Sequence, residues 1–78
     1  MLHLDYTNQG RRLTAAQIVA AWKRAGNPNT IIVEYGETYA EFRLVGFPPY
    51  RRWDDSGNGC RGVDRNAVVK ALAKVSFA

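Results

Sequence analysis

The chain contains a single cysteine, Cys60, and a single histidine, His3. One thiol cannot form an intrachain disulfide, and one cysteine with one histidine cannot supply the ligands of a Cys/His zinc site. We therefore expect neither a bound metal nor a cofactor. A lone thiol without a disulfide framework is typical of proteins in a reducing compartment, which predicts a cytoplasmic location.

Long hydrophobic runs are also lacking. No apolar run approaches the roughly 20 residues of a membrane span. The amino-terminal sequence MLHLDYTNQG has no basic segment followed by an apolar core, so it does not resemble a secretory signal. We expect no membrane partner. The 78 residues, of which 46% are hydrophobic, predict one folded domain over residues 1–78.

Acidic residues are in the minority. Eleven Lys and Arg stand against seven Asp and Glu, which gives a formal net charge of +4. Residues 46–78 carry six of the basic residues and only three of the acidic ones. This balance favours an anionic partner, although mild basicity also serves solubility alone.

The first helix is predicted over residues 15–25. Thr14 is a favourable N-cap, and Gln17 is placed to complete a capping box with it. Gly26 can adopt the left-handed conformation that ends a helix, and Pro28 prevents continuation. Apolar residues recur at the helical period, at Ile18, Val19, Trp22 and Ala25.

A β-hairpin is predicted next, from strands Thr30–Tyr35 and Thr38–Val45. Both are rich in β-branched and aromatic residues, and Gly36-Glu37 between them suits a type II′ turn. That turn pairs Tyr35 with Thr38, Val33 with Ala40 and Ile31 with Phe42 on one largely apolar face. A one-residue slip would mix the two faces, so we expect this register.

Three other segments have weaker patterns. The alternation over residues 2–6 indicates either a short edge strand or a frayed terminus. After the break at Pro48-Pro49, Tyr50–Trp53 is a candidate third strand. Asp54–Gly62 reads as an exposed loop, with its tightest turn at Asn58-Gly59.

The second helix begins after Asp64, which is its predicted N-cap, and Val63 and Val68 form a hydrophobic staple. Its buried stripe and its solvent side are each spaced at the helical period. The stripe consists of Val68, Leu72 and Val75, and the solvent side of Asn66, Lys70 and Lys74. The elements predict a two-layer α+β domain of order α-β-β-(β)-α, in which an antiparallel hairpin or three-stranded sheet carries two helices on one face.

This layout resembles those of double-stranded-RNA-binding domains and HicA-type toxins. Gly26-Asn27-Pro28 is similar to the glycine and proline before the first strand of the RNA-binding domains, and Gly57-Asn58-Gly59 to their glycine-rich approach to the last helix. The start of the last helix departs from them, because it reads Val63-Asp64-Arg65-Asn66 instead of presenting several lysines. Glu37, Thr38 and Tyr39 follow Gly36, where HicA-type toxins carry a histidine.

Catalytic patterns are sparse. His3 and Asp5 share one face of the possible edge strand but have no third partner in sequence. Cys60 has a cationic neighbour, Arg61, but no adjacent histidine to act as a base. The consecutive carboxylates Asp54-Asp55 are more typical of a solvated loop than of a metal site. We therefore predict a protein without enzymatic activity, and a minimal RNase-like toxin is only a third alternative.

The loop from Gly46 to Gly62, GFPPYRRWDDSGNGCRG, is the candidate binding site. Guanidinium groups beside aromatic rings suit phosphates and bases, and equally an acidic protein surface. The candidate contact residues are Tyr50, Arg51, Arg52, Trp53, Arg61, Arg65 and Lys70. In a competing interpretation, Tyr50 and Trp53 complete the core while the arginines are solvated or pair with Asp54 and Asp55.

The predicted function is non-enzymatic binding of nucleic acid by the basic, aromatic loop and the second helix. The arginines and Lys70 would hold phosphates while Tyr50 or Trp53 stacks on unpaired bases. RNA is favoured because the sequence has no helix-turn-helix spacing. The alternative is a small protein-binding adaptor or inhibitor that uses the Tyr50–Trp53 cluster as its hot spot.

Overall fold

The computed structural model describes residues 1–9, 11–46 and 52–76 and contains six elements in that part of the chain. They are β1 (Leu2–Asp5), α1 (Ala15–Arg24), β2 (Thr30–Tyr35), β3 (Thr38–Val45), β4 (Arg52–Ser56) and α2 (Arg65–Ser76). The predicted α+β class and the two helices are confirmed. The possible edge strand at the amino terminus is present as β1.

Helix α1 starts and stops as its sequence indicates. The Gln17 amide donates to Thr14 Oγ1 at 3.2 Å, and the Thr14 amide donates to Gln17 Oε1 at 2.9 Å, which completes the capping box. At the other end Gly26 has φ 85° and Asn27 has φ 58°. The helix therefore ends at Arg24, one residue before the predicted limit.

The hairpin between β2 and β3 has the predicted register. Tyr35 pairs with Thr38, Val33 with Ala40 and Ile31 with Phe42. Gly36 has φ 63°, the positive value that a two-residue hairpin turn needs at this position. Local turn geometry and the apolar pattern act in the same direction here, which is why the register could be read from sequence.

The sheet is larger than predicted. It has four strands in the order β1-β2-β3-β4, with β1 parallel to β2 and the other pairs antiparallel. The prediction of an exposed loop over Asp54–Gly62 is wrong for residues 54–56, which belong to β4. Pairing with β3 and the buried side chain of Trp53 hold these polar residues in a strand. Tyr50 and Arg51 of the predicted third strand lie outside the described residues.

Helix α2 begins at the same end of the molecule as α1. The Ala67 amide donates to Asp64 Oδ1 at 3.1 Å, so Asp64 is the N-cap, as predicted. Since β1 and β2 are parallel, the connecting α1 runs against both, and α2 runs against the preceding β4. Both helices therefore start near the turn of the β2–β3 hairpin and run side by side.

The core lies between the helices and one face of the sheet. Its buried residues form one cluster: Tyr6, Ile18, Val19, Trp22, Ile31, Val33, Ala40, Phe42, Trp53, Cys60, Val68 and Leu72. The opposite face of the sheet, which we call the open face, has no second layer over it within the described residues. In that part of the chain neither helix is long and apolar enough to cross a membrane.

Candidate functional site

Trp53, a central residue of the predicted binding loop, lies in the core. Its side chain is 3% exposed, and its ring meets that of Trp22 edge to face. The inward position follows from the alternation of β4, where Arg52 and Asp54 point to the open face. Of the two interpretations that the sequence left open, the structure favours the core one for Trp53. Tyr50 and Arg51 lie outside the described residues.

The remaining predicted arginines do not form one basic edge. Arg52 starts β4 opposite Val45, whereas Ser56, at the other end of the strand, is opposite Glu41. Arg61 lies beyond that second end, where its amide donates to Thr38 Oγ1 at 3.0 Å. A five-residue strand spans about 17 Å, so Arg52 is separated from Arg61 by the length of β4.

Two of these arginines are engaged in ion pairs. Arg52 Nε lies 3.5 Å from Asp54 Oδ1 on the open face. Arg65, the first residue of α2, pairs with Asp55 of β4, and both side chains are about two-thirds covered. The Arg65 guanidinium therefore ties α2 to the edge of the sheet. The carboxylates of Asp54 and Asp55 therefore partly neutralise these two arginines in the free protein.

Acidic and basic residues are sorted between the two layers. The helices contain no Asp or Glu and five Lys or Arg. The strands contain five Asp or Glu and only two basic residues, Arg43 and Arg52. Both of those arginines are paired, Arg43 with Glu41 and Arg52 with Asp54. The open face thus carries a net negative charge, while the helical side carries the positive excess.

Seven exposed Lys and Arg side chains make no ion pair in the part of the chain that the structure describes, and all lie in the helices or in the segments that lead into them. They are Arg11, Arg12, Lys23, Arg24, Arg61, Lys70 and Lys74, which together we call the basic layer. An unpaired exposed guanidinium or ammonium is available to an external anion at little desolvation cost. The basic layer is therefore the strongest candidate site.

Contacts of Tyr6 and Gly62 fix the backbone at the end of the basic layer that contains Arg12 and Arg61. The Tyr6 hydroxyl donates to the Arg61 carbonyl at 2.9 Å and lies 3.4 Å from Cys60 Sγ. A Cβ added to Gly62 would overlap the Arg12 side chain, so that side chain lies directly against Gly62. Burial raises the pKa of Tyr6, the Cys60 contact adds to the rise, and the nearby charge of Arg12 opposes it. Arg12, which precedes α1, thus lies against the segment that leads into α2.

Sequence reasoning included Arg61 and Lys70 in the site but not Lys23 or Arg24. It assigned each residue by its position next to the aromatic loop, whereas the relevant signal was the absence of acidic residues from both helices. Arg11 and Arg12 were not among the predicted contact residues. The structure places Arg12 beside the start of α2.

The residues weighed for catalysis lie apart. His3 Nε2 is 2.7 Å from Glu34 Oε1 on the open face, and two hydrogen bonds from Thr7 lower the pKa of Asp5. Cys60 is buried. No group of three or more potential metal ligands exists among the described residues.

A depression of about 270 Å³ at the hairpin turn is lined by Tyr35, Gly36, Glu37, Thr38 and Arg61. The Thr38 hydroxyl there donates its proton to the Tyr35 carbonyl and accepts a hydrogen bond from the Arg61 amide. Its proton is therefore not directed at a base. These residues therefore do not form a nucleophile with its base.

Comparison with known proteins adds no assignment. No protein-family model, curated protein or solved structure matches this chain. The layout that resembles double-stranded-RNA-binding domains and HicA-type toxins therefore remains a resemblance in element order. Element order alone does not establish a function, which depends on the residues of the site.

Proposed function

We propose that this protein binds nucleic acid without catalysing a reaction, and that the basic layer is the contact surface. One observation carries the proposal: among the described residues, all seven exposed Lys and Arg side chains without an ion pair lie in the helices or in the segments that lead into them, and the strands hold most of the acids. A polyanion approaching the open face meets repulsion, and one approaching the helices meets attraction. A cytoplasmic location fits the single thiol, Cys60.

Phosphate contacts supply most of the affinity in this proposal. Each Lys or Arg that neutralises a phosphate releases condensed counterions, so affinity falls steeply as salt is raised. Arg12 and Arg61 act at the start of the helices, Lys70 along α2, and Lys23 and Lys74 near the far ends. Arg52 and Arg65 contribute less, because Asp54 and Asp55 already compensate them.

RNA remains favoured over DNA in this proposal. A helix-turn-helix reader joins two consecutive helices by a short turn and places the second in the major groove of DNA. Here three strands separate α1 from α2, and the two helices lie side by side. The architecture therefore offers no such recognition helix.

Charge reversal on the two faces tests the proposal. Fluorescence anisotropy with labelled RNA and DNA oligonucleotides would be measured for Lys70→Glu/Lys74→Glu and for the matched control Arg43→Glu/Arg52→Glu. Both variants change the net charge equally. We expect the helix variant to lose at least tenfold in affinity and the sheet variant to lose less than threefold.

Two results would contradict the proposal. Equal losses in the two variants would show that total charge, and not the basic layer, determines binding. An absence of binding to every oligonucleotide at low salt would exclude nucleic acid as the ligand. The protein-binding alternative would then be pursued by pull-down, with Tyr50→Ala as the probe, since Trp53 lies in the core.

A further inference from the structure

We infer that the basic layer accepts nucleic acid as a double helix, through its phosphate rows, and not as a single strand through its bases. The inference rests on the proposed function and specifies its ligand. It revises the expectation that Tyr50 or Trp53 stacks on unpaired bases. Three features of the described residues lead to it.

The first feature is where the aromatic rings lie. Tyr6, Trp22, Phe42 and Trp53 are buried, and Tyr35 is packed against the core. Tyr39 is exposed, but the alternation of β3 places it on the open face, away from the basic layer. Proteins that bind single strands generally stack bases on exposed rings, at about 1–3 kcal/mol per base. The described part of the basic layer has no ring in position to do this.

The second feature is the surface between the cations. The exposed residues of α1 before its basic end are Ala16, Gln17 and Ala20, and Gln17 is already committed to the Thr14 cap. These side chains carry no charge, and cations precede and follow them along the chain. Neutral side chains of this length do not keep a rigid rod from the cations at the two ends of the helix.

The third feature is the fixed spacing of the cations. Arg12 and Arg61 lie where the helices begin, and Lys23 and Arg24 lie at the end of α1. Ten helical residues span about 15 Å, so the two groups act on phosphates that are far apart. A duplex holds its phosphates at set positions with one charge per about 1.7 Å of axis, whereas a single strand must be ordered first.

The test compares duplex with single-stranded ligands of equal length. Labelled 16-base-pair RNA and DNA duplexes and the corresponding hairpin-free single strands would be titrated by anisotropy across a salt series. We expect at least one duplex to bind tenfold tighter than both single strands at about 0.15 M salt. With five phosphate contacts the slope of log K against log salt is about −4.5 for a B-form DNA duplex and −3.5 for a single strand.

Substitution of two tyrosines completes the test. Tyr39→Ala and Tyr50→Ala should change the affinity for either duplex less than twofold. Single-strand binding as tight as duplex binding would overturn the inference, as would a fivefold loss of duplex affinity in Tyr50→Ala. Both results leave the proposed function standing. Failure to bind any of the four ligands would instead remove the proposed function.

Discussion

The indole rings of Trp22 and Trp53 meet edge to face, with centroids 5.5 Å apart and an interplanar angle of 86°. This contact joins α1 to β4, two elements that are far apart in the sequence. The Trp22 indole is fixed in turn, because its Nε1 donates to the Pro28 carbonyl at 2.7 Å. The pair stabilises the helix–sheet interface, which makes Trp53 a structural residue.

Replacement of Trp53 should therefore affect stability before it affects binding. Truncating a buried Trp to Ala costs about 3–5 kcal/mol, which is close to the whole stability of a domain this small. We expect Trp53→Ala to be largely unfolded by circular dichroism. Trp53→Phe should fold with a lowered melting temperature and keep its nucleic-acid affinity within twofold. A folded Trp53→Phe that binds tenfold more weakly would identify Trp53 as a contact residue after all.

The buried Tyr6 hydroxyl predicts sensitivity to alkali. Its pKa is raised above the value near 10 of an unfolded tyrosine, chiefly by burial. The folded state therefore retains a proton that the unfolded state releases, and stability falls as pH rises above about 10. Tyr6→Phe should be less stable by about 1 kcal/mol at pH 7, because its hydrogen bond to Arg61 is lost.

The difference in free energy of unfolding between Tyr6→Phe and the parent protein should then become smaller as pH is raised from 9 to 11. Urea unfolding at each pH measures it, and comparison of the two proteins cancels the titration of surface lysines. Tyr39→Phe, at an exposed tyrosine, is the control and should parallel the parent throughout. If this difference in free energy of unfolding stayed constant across the pH range, the raised pKa of Tyr6 would be contradicted.

Gly62 links backbone conformation to the basic layer. Its φ is 82°, and a Cβ there would overlap the Arg12 side chain. Gly36 has φ 63° but open space around it, so it is a matched control. Both Gly62→Ala and Gly36→Ala should lose about 1–2 kcal/mol of stability to backbone strain. Only Gly62→Ala should also weaken nucleic-acid binding, by about threefold or more, because it displaces Arg12. Equal affinities in the two variants would show that Arg12 is not used.

The Arg65–Asp55 ion pair should contribute more to the stability of the fold than to nucleic-acid affinity. Both side chains are partly covered, so a double-mutant cycle with Arg65→Ala and Asp55→Ala should give a coupling energy of about 0.5–1 kcal/mol that declines at high salt. Arg65→Ala should lower nucleic-acid affinity less than Lys70→Ala does. The reverse order of affinities would show that the ligand displaces Asp55 from the arginine.

The sequence predicted the elements whose determinants are local. The Thr14–Gln17 capping box, the Asp64 cap and the Gly36 turn each involve residues within a few positions, and all three are present in the structure. The parallel partner of β1 could not be predicted in this way, because the two strands are brought together by the helix between them. Strand β4 was assigned partly to a loop because Trp53 is its one buried side chain.

The candidate site was harder to predict than the fold. Arg52, Arg61 and Arg65 lie near one another in sequence, but ion pairing and the length of β4 separate their roles. Pairing of the arginines with Asp54 and Asp55 was one of the two interpretations of the loop, but the sequence did not show which arginine each carboxylate would meet. The segregation of acids from the helices could have been read from sequence once the helices were assigned, and it would have pointed to Lys23 and Arg24 as well.

The sheet order has a consequence for how the chain folds. Strands β2, β3 and β4 form a meander in which each strand pairs with its sequence neighbour, so loop closure there costs little entropy. Strand β1 reaches β2 only after α1 has closed the whole segment from residue 6 to residue 29. We therefore expect the meander to provide the folding nucleus and β1 to join late. Amide hydrogen exchange in β1 would then be the fastest of the four strands, since its docking can be lost while the meander remains paired.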